Sequence, residues 1–192
     1  MKRVVLTIGM TFALLGAGFV GGAPEARAEI PMNTSVRLWN VEPDRATGRS
    51  RCLLVNGTTS GVRAELWNGC STYLADDQVW AAFPAGIPGE FVLVNNGSGM
   101  CLTMPNASNN TIARQAPCDP RRPAPASQRW ETQASGWGDP LVRIVSEYSG
   151  KCLSGQDTSA YSEWAYQYTC LADGNGRSPL DQAWYSMTWY LS

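Results

Sequence analysis

An all-β chain built from three like units is the fold class this sequence predicts, and composition, cysteine spacing and a recurring triplet carry the prediction. The 192 residues are 44% hydrophobic and 16% charged, which leaves room for one domain around one core. With 19 glycines, 12 prolines, 8 tryptophans and 7 tyrosines, the chain favours short strands and turns, with more aromatic surface than a core requires. Histidine is absent, so His-based triads, Cys-His dyads and imidazole metal sites are removed before any motif is sought.

The units emerge when the chain is aligned on Cys52, Cys101 and Cys152, each of which is followed by leucine (Leu53, Leu102, Leu153). Each segment closes on a QxW triplet ending at Trp80, Trp130 and Trp184, spaced 50 and 54 residues apart. Upstream, residues 36–40 (VRLWN), 91–95 (FVLVN) and 142–146 (VRIVS) open the units as matching short strands. The last two are followed by Ser98-Gly99 and Ser149-Gly150. A unit of about 50 residues then holds about four strands. Three units are too few to close a propeller, so a different closed arrangement around a pseudo-threefold axis is expected. Its core is predicted to collect the first-strand aliphatics, the leucines after cysteine and the three QxW tryptophans. The QxW glutamines should satisfy backbone groups where the chain turns into the next unit.

At the N-terminus, Lys2 and Arg3 precede an apolar stretch from Val4 to about Ala23, and Ala26-Arg27-Ala28 supplies a small-x-small cleavage pattern. This reads as a secretory signal peptide over residues 1–28, cleaved before Glu29, the alternative being an uncleaved anchor. Losing Lys2, Arg3, Arg27 and Glu25 takes the 15 basic and 16 acidic residues to 12 and 15, a net charge of −3. Nucleic acid and anionic membrane surfaces are poor partners for such a chain. All six cysteines lie in the exported part, which favours disulfides over metal or redox chemistry. Six cysteines allow fifteen pairings; the near-equal intervals of 18, 17 and 18 residues suggest one bridge per unit, Cys52 with Cys70, Cys101 with Cys118 and Cys152 with Cys170, as the hypothesis to be tested.

A Cys-Leu opening, a second cysteine about 17 residues on and a QxW closing, three times over from about Ser35 to Ser192, resembles the ricin B-type β-trefoil lectin domains. The resemblance implies a β-trefoil, a six-stranded barrel capped by three hairpins, with repeats at about 35–88, 89–140 and 141–192. It also implies glycan binding through shallow pockets, one per repeat at most. In that family the pocket draws on an Asp two positions after the first cysteine, an aromatic two before the second cysteine with a polar residue two before that, and a polar residue just ahead of the QxW glutamine. Sugar recognition needs an aromatic face for the apolar side of the ring and fixed polar groups for its hydroxyls.

The first of these places holds Leu54, Thr103 and Ser154, a departure from the family in every repeat. Repeat 1 otherwise offers Glu65, Trp67, Asp77 and Gln78, the ring displaced by one extra residue before Cys70. Repeat 3 offers Tyr166, Tyr168, Asp181 and Gln182, with Asp157 three residues beyond the missing aspartate. Repeat 2 has Arg114, Ala116 and Ser127, lacks the ring, and reads as structural. Trp67, on a strand shared with Val62, Ala64 and Leu66, either packs against a hairpin or faces a ligand; Asp77 and Asp181 either form turns or bind. Trp39, Trp137, Trp164 and Trp189 lie outside QxW and suit an exposed aromatic patch for a glycan or a protein partner.

No GxSxG, P-loop, GxGxxG or metal-ligand cluster is present, so the sequence predicts neither cofactor nor catalysis. Sequons at Asn33, Asn56, Asn96, Asn106 and Asn109 matter only in a glycosylating host. The expected function is that of a secreted, extracellular, stand-alone carbohydrate-binding module with pockets in repeats 1 and 3. The alternative is a non-catalytic protein-binding trefoil, such as a toxin cell-binding subunit or an inhibitor, whose sugar pockets have decayed.

Overall fold

The computed structural model describes residues 29–42, 50–70, 75–119, 123–155 and 164–188. The expected signal segment, Asp157 and Trp189 lie outside the described residues.

Repeats 1 and 3 contribute four strands each and repeat 2 five. Repeat 1 has β1 (Ser35–Asn40), β2 (Arg51–Val55), β3 (Ala64–Trp67) and β4 (Trp80–Pro84). Repeat 2 has β5 (Glu90–Asn95), β6 (Cys101–Thr103), a short extra β7 (Thr111–Ile112), β8 (Arg114–Ala116) and β9 (Trp130–Ala134). Repeat 3 has β10 (Val142–Ser146), β11 (Lys151–Ser154), β12 (Tyr166–Tyr168) and β13 (Trp184–Thr188). A single 3-10 turn ahead of each last strand carries the QxW glutamine, at Asp76–Gln78, Ala126–Gln128 and Leu180–Gln182.

The first and last strands of the repeats close on themselves. Antiparallel pairing runs β1 to β4, β4 to β5, β5 to β9, β9 to β10, β10 to β13 and β13 back to β1, a six-stranded barrel with no free edge. The middle strands form the hairpins β2/β3, β6/β8 and β11/β12 that cap it. The chain is thus an all-β trefoil of three repeats.

Alternation along the first strands explains the core. Val36 and Leu38, Phe91 and Leu93, and Val142 and Ile144 are buried and join Leu53, Leu102, Leu153 and the three QxW tryptophans in one cluster. Trp80, Trp130 and Trp184 are all 0% exposed, and each indole N–H has the same partner. Trp80 donates to the Leu53 carbonyl at 2.9 Å, Trp130 to Leu102 at 3.2 Å and Trp184 to Leu153 at 2.9 Å. The Cys-Leu and QxW motifs therefore meet in space, the large ring filling the core while its one polar atom is satisfied. The cluster also takes in Ile30, so the folded region begins a few residues ahead of β1.

On the pseudo-threefold axis the hairpins are tied by a ring of backbone hydrogen bonds. Ala64 N–H donates to Ala113 C=O at 2.8 Å, Ala113 to Ala165 at 2.9 Å and Ala165 to Ala64 at 3.0 Å. All three side chains are 0% exposed; three backbones converge there, and only a small residue leaves them room. Further out, Ser98 and Ser149 of the Ser-Gly pairs donate to Gln115 and Gln167 at 2.6 Å. Those buried amides in turn donate to loop carbonyls of the preceding hairpin, Gly57 and Thr59 for Gln115, Asn106 and Ser108 for Gln167. Repeat 1 places Leu66 at the equivalent position. There a Cβ on Gly155 would come within 2.5 Å of Leu66 Cδ1, so glycine is required at that approach.

Disulfides join Cys52 to Cys70, Cys101 to Cys118 and Cys152 to Cys170, each tethering the far strand of a capping hairpin to its near one.

Candidate functional site

Strand register brings the pocket places into line. Cys52 lies opposite Trp67, Cys101 opposite Ala116 and Cys152 opposite Tyr168. Two residues further along, Leu54 faces Glu65, Thr103 faces Arg114 and Ser154 faces Tyr166. Paired residues of an antiparallel ladder project to the same face, so each hairpin presents four equivalent positions. The extra residue of repeat 1 falls after Trp67, in Asn68-Gly69, and leaves the ring in register with Tyr168.

The residue ahead of the QxW glutamine arrives at the same spot. Thr103 Oγ1 donates to the Ser127 carbonyl at 3.0 Å. Ser154 Oγ donates to Asp181 Oδ2 at 2.5 Å, a charge-assisted bond. In repeat 1 the matching residue is Leu54, which has no proton to give, and Asp77 Oδ1 is buried without a hydrogen-bond partner among the described residues. Burial pushes the Asp77 carboxyl above its usual range, with Asp76 adding to the rise, while its hydrogen bonds to backbone and the Arg37 guanidinium oppose it.

Repeat 3 is the more polar arrangement. Burial pushes the Tyr166 hydroxyl up to about 12, helped by the adjacent Asp181 carboxylate and opposed by a hydrogen bond with Ser154 and by Arg51. Arg51, contributed by repeat 1 and 2% exposed, donates to the Gly155 carbonyl. Tyr168 stands half-exposed at the rim. In repeat 1 the ring is freer: Trp67 is 45% exposed. It lies across Gly69, where an added Cβ would come within 2.4 Å of its Nε1. Glu65 is half-buried and bridges through its backbone to Trp164 of repeat 3.

Two of the QxW glutamines, Gln128 and Gln182, are spent on backbone. Gln128 Nε2 donates to Pro117 C=O at 2.8 Å while its Oε1 accepts from Asp119 N–H at 3.0 Å. Gln182 does the same with Thr169 and Leu171, both at 3.0 Å. Each thus clamps the chain on both sides of a second half-cystine. Gln78 is buried at the corresponding place.

Two features escaped sequence reasoning. Asn40 Nδ2 donates to the Asp181 carbonyl and Asn95 Nδ2 to the Asp77 carbonyl, both at 2.8 Å. The last residue of one repeat's first strand therefore fixes the acid-bearing turn of another. The signal was the asparagine ending both strand motifs. The other is Tyr148, 46% exposed, which with Thr103, Met104, Pro105, Pro125, Ala126 and Ser127 lines a depression of about 400 Å³ in repeat 2. Its ring comes from the next repeat, where no motif centred on repeat 2 would find it. The matching residue in repeat 2 is Gly97, where an added Cβ would lie 3.0 Å from the Asp77 backbone nitrogen.

Of the tryptophans outside QxW, Trp39 stacks on Tyr185 with centroids 6.2 Å apart. Trp137 is 42% exposed, donates to the Ser178 carbonyl at 2.8 Å and carries Arg177 over its ring at 4.8 Å. Among the described residues no group of three or more carboxylates or cysteines is arranged to hold a metal ion.

Residues 76–168 match the family model for ricin-type β-trefoil lectin domain-like sequences. No curated protein matches the chain. Among solved structures, a designed threefold-symmetric protein, ThreeFoil, is 23% identical, with a TM-score of 0.58, covering 80% of this chain and 97% of its own. A Polyporus squamosus lectin, solved with a sialylated influenza-binding epitope, is 9% identical with a TM-score of 0.62, covering 83% of this chain and 50% of its own. The Haemophilus ducreyi cytolethal distending toxin structure is 18% identical with a TM-score of 0.58, covering 82% and 85%. With three QxW repeats on a closed barrel and three capping hairpins, the chain has the β-trefoil fold, and its residues 76–168 are similar to the ricin-type β-trefoil lectin domains.

Proposed function

We propose that the protein is a secreted, non-catalytic carbohydrate-binding module that engages glycan or polysaccharide through shallow pockets in repeats 1 and 3. The observation that carries this reading is the shared register of Trp67 and Tyr168, each with a carboxylate, Asp77 or Asp181, ahead of the QxW glutamine of its repeat. A sugar ring stacks its apolar face on the aromatic, and its hydroxyls donate to the carboxylate. Glu65 serves the first pocket; Tyr166, Ser154 and, as the sequence suggests, Asp157 serve the third. Gln182 supports the third pocket by holding its half-cystine segment in place, and Gln78, buried at the corresponding place, belongs to the first. Signal cleavage before Glu29 fits this reading, because Ile30 already belongs to the core and the cut would leave the domain whole.

A glycan and polysaccharide screen on the mature protein, followed by Trp67→Ala and Tyr168→Ala singly and together, tests the proposal. Each single change should lower retention on the polymer that the parent binds, and the pair should abolish it. Full retention by the pair would remove the two-pocket reading and leave protein binding in front. That second reading has its own support in the exposed Trp67, Trp137, Tyr148, Leu171 and Met187, large apolar groups of the kind enriched at protein contacts.

A further inference from the structure

The hairpin cap carries a second patch, of which Arg114 alone falls on a pocket place, that of repeat 2, which lacks the stacking ring. Arg63 of β3's approach lies opposite Arg114 of β8 in an antiparallel bridge, and Glu65 lies opposite Trp164 in another. Both bridges flank the buried alanine ring, so the side chains next to Ala64, Ala113 and Ala165 project away from the core at the pseudo-threefold axis. The Arg63 guanidinium sits over the Trp164 ring at 4.9 Å. Arg114 donates through Nη1 to the Gly61 carbonyl at 2.7 Å, which fixes its fork and leaves its other N–H groups to point elsewhere.

Like charges directly opposite one another across an antiparallel pair destabilise it. The ion pair of Arg129 with Glu90 lies elsewhere in the fold and involves neither guanidinium. The arrangement is unusual in a chain whose exported part carries more acidic than basic residues. Two arginines paired across the bridge, one of them laid against an aromatic plane, offer a receptor for an oxyanion carried on a sugar ring. The fork takes the carboxylate or sulfate, and the indole shields the apolar face of the ring.

We infer that the axial patch of Arg63, Arg114 and Trp164 binds acidic polysaccharide, through a carboxylate or sulfate group, at a site separate from the pockets of repeats 1 and 3. The choice of a polysaccharide rests on the carbohydrate-binding reading above; the anion site itself rests on the two arginines.

Binding of the mature protein to polygalacturonate, dextran sulfate and unmodified dextran tests this and separates the two anion sources. The parent should bind at least one acidic polymer and leave the neutral one unbound at this site, with affinity falling steeply between 0.05 and 1 M salt. Arg63→Gln and Arg114→Gln should each weaken binding by about tenfold. Arg114→Lys should recover part of it, since a point charge replaces the fork. The same acidic polymer should raise the melting temperature of the parent and not that of Arg63→Gln, a readout that needs no immobilised ligand. The Trp67→Ala, Tyr168→Ala pair should keep this salt-sensitive binding even where neutral glycan binding is lost, so failure of the pockets and failure of the axial site are told apart. Equal binding of the acidic polymers by the parent and both arginine variants, or no binding by the parent, would overturn the inference.

Discussion

Asp77 and Asp181 stand at the same place in their repeats and differ in one neighbour. Ser154 gives Asp181 a proton to accept, whereas Leu54 gives Asp77 none. The folded chain therefore holds the Asp77 proton more tightly than the unfolded chain does, chiefly through desolvation. Stability is lost as pH rises from the ordinary carboxylate value through the higher folded value, and the loss is complete at neutral pH. Asp77→Asn should accordingly melt higher than the parent at pH 7, with the advantage closing by about pH 3 where both chains carry a neutral side chain; a constant offset across that range would mean the charge is not what costs stability. The same change should weaken glycan binding, the usual conflict between a polar site and the fold that holds it. Tryptophans divide along a similar line. Trp130, 0% exposed and bonded to Leu102, should cost about 3 to 5 kcal/mol on change to alanine, while Trp67, 45% exposed, should leave the melting temperature nearly unchanged. The sequence marked Trp130 as core because a triplet recurred around it. It could not settle Trp67, since strand alternation alone does not say which face of a hairpin is covered.

At the scale of elements, four strands per repeat and their closing triplets were legible because they recur, and recurrence amplifies weak local signals. The alanine ring was not: Ala64, Ala113 and Ala165 are single small residues whose identity is dictated by three backbones meeting on the axis, a long-range fact with no local pattern. Ala113→Leu should overpack that junction and destabilise the domain by about 1 to 3 kcal/mol or more, whereas Ala113→Gly should cost less. Chemical denaturation of both variants checks the order, and a harmless leucine would mean that the hairpins do not converge as closely as described. The β7 strand escaped for a related reason. Thr111 and Ile112 pair with Gln167 and Tyr166 across a repeat boundary, so their strand character comes from the neighbour. Removing the Cys101–Cys118 bridge by double serine substitution should cost about 2 to 5 kcal/mol, because it frees β8 from β6 while leaving the barrel strands intact.

For the whole molecule, threefold pseudosymmetry fixes how binding would be organised. The hairpins bearing the proposed pockets of repeats 1 and 3 are distributed around one axis and meet near it, at Ala64 and Ala165 and at the Glu65–Trp164 bridge. Their rims, at Trp67 and Tyr168, therefore open outward from different sides of the cap rather than into one cleft. A short oligosaccharide would occupy one pocket at a time, and a shallow pocket with one ring and a few hydrogen bonds gains little net free energy in water. A long polymer or a glycan-coated surface can meet both, and the second contact then profits from the effective concentration set by the first. Soluble oligosaccharide and surface should consequently respond differently to the loss of one pocket. Tyr168→Ala should leave the affinity of repeat 1 for a short ligand unchanged and halve the number of sites in titration calorimetry. On the surface the same variant should be retained about 10²-fold less strongly, because avidity disappears with the second site. Equal, modest losses in both formats would mean that the pockets act independently.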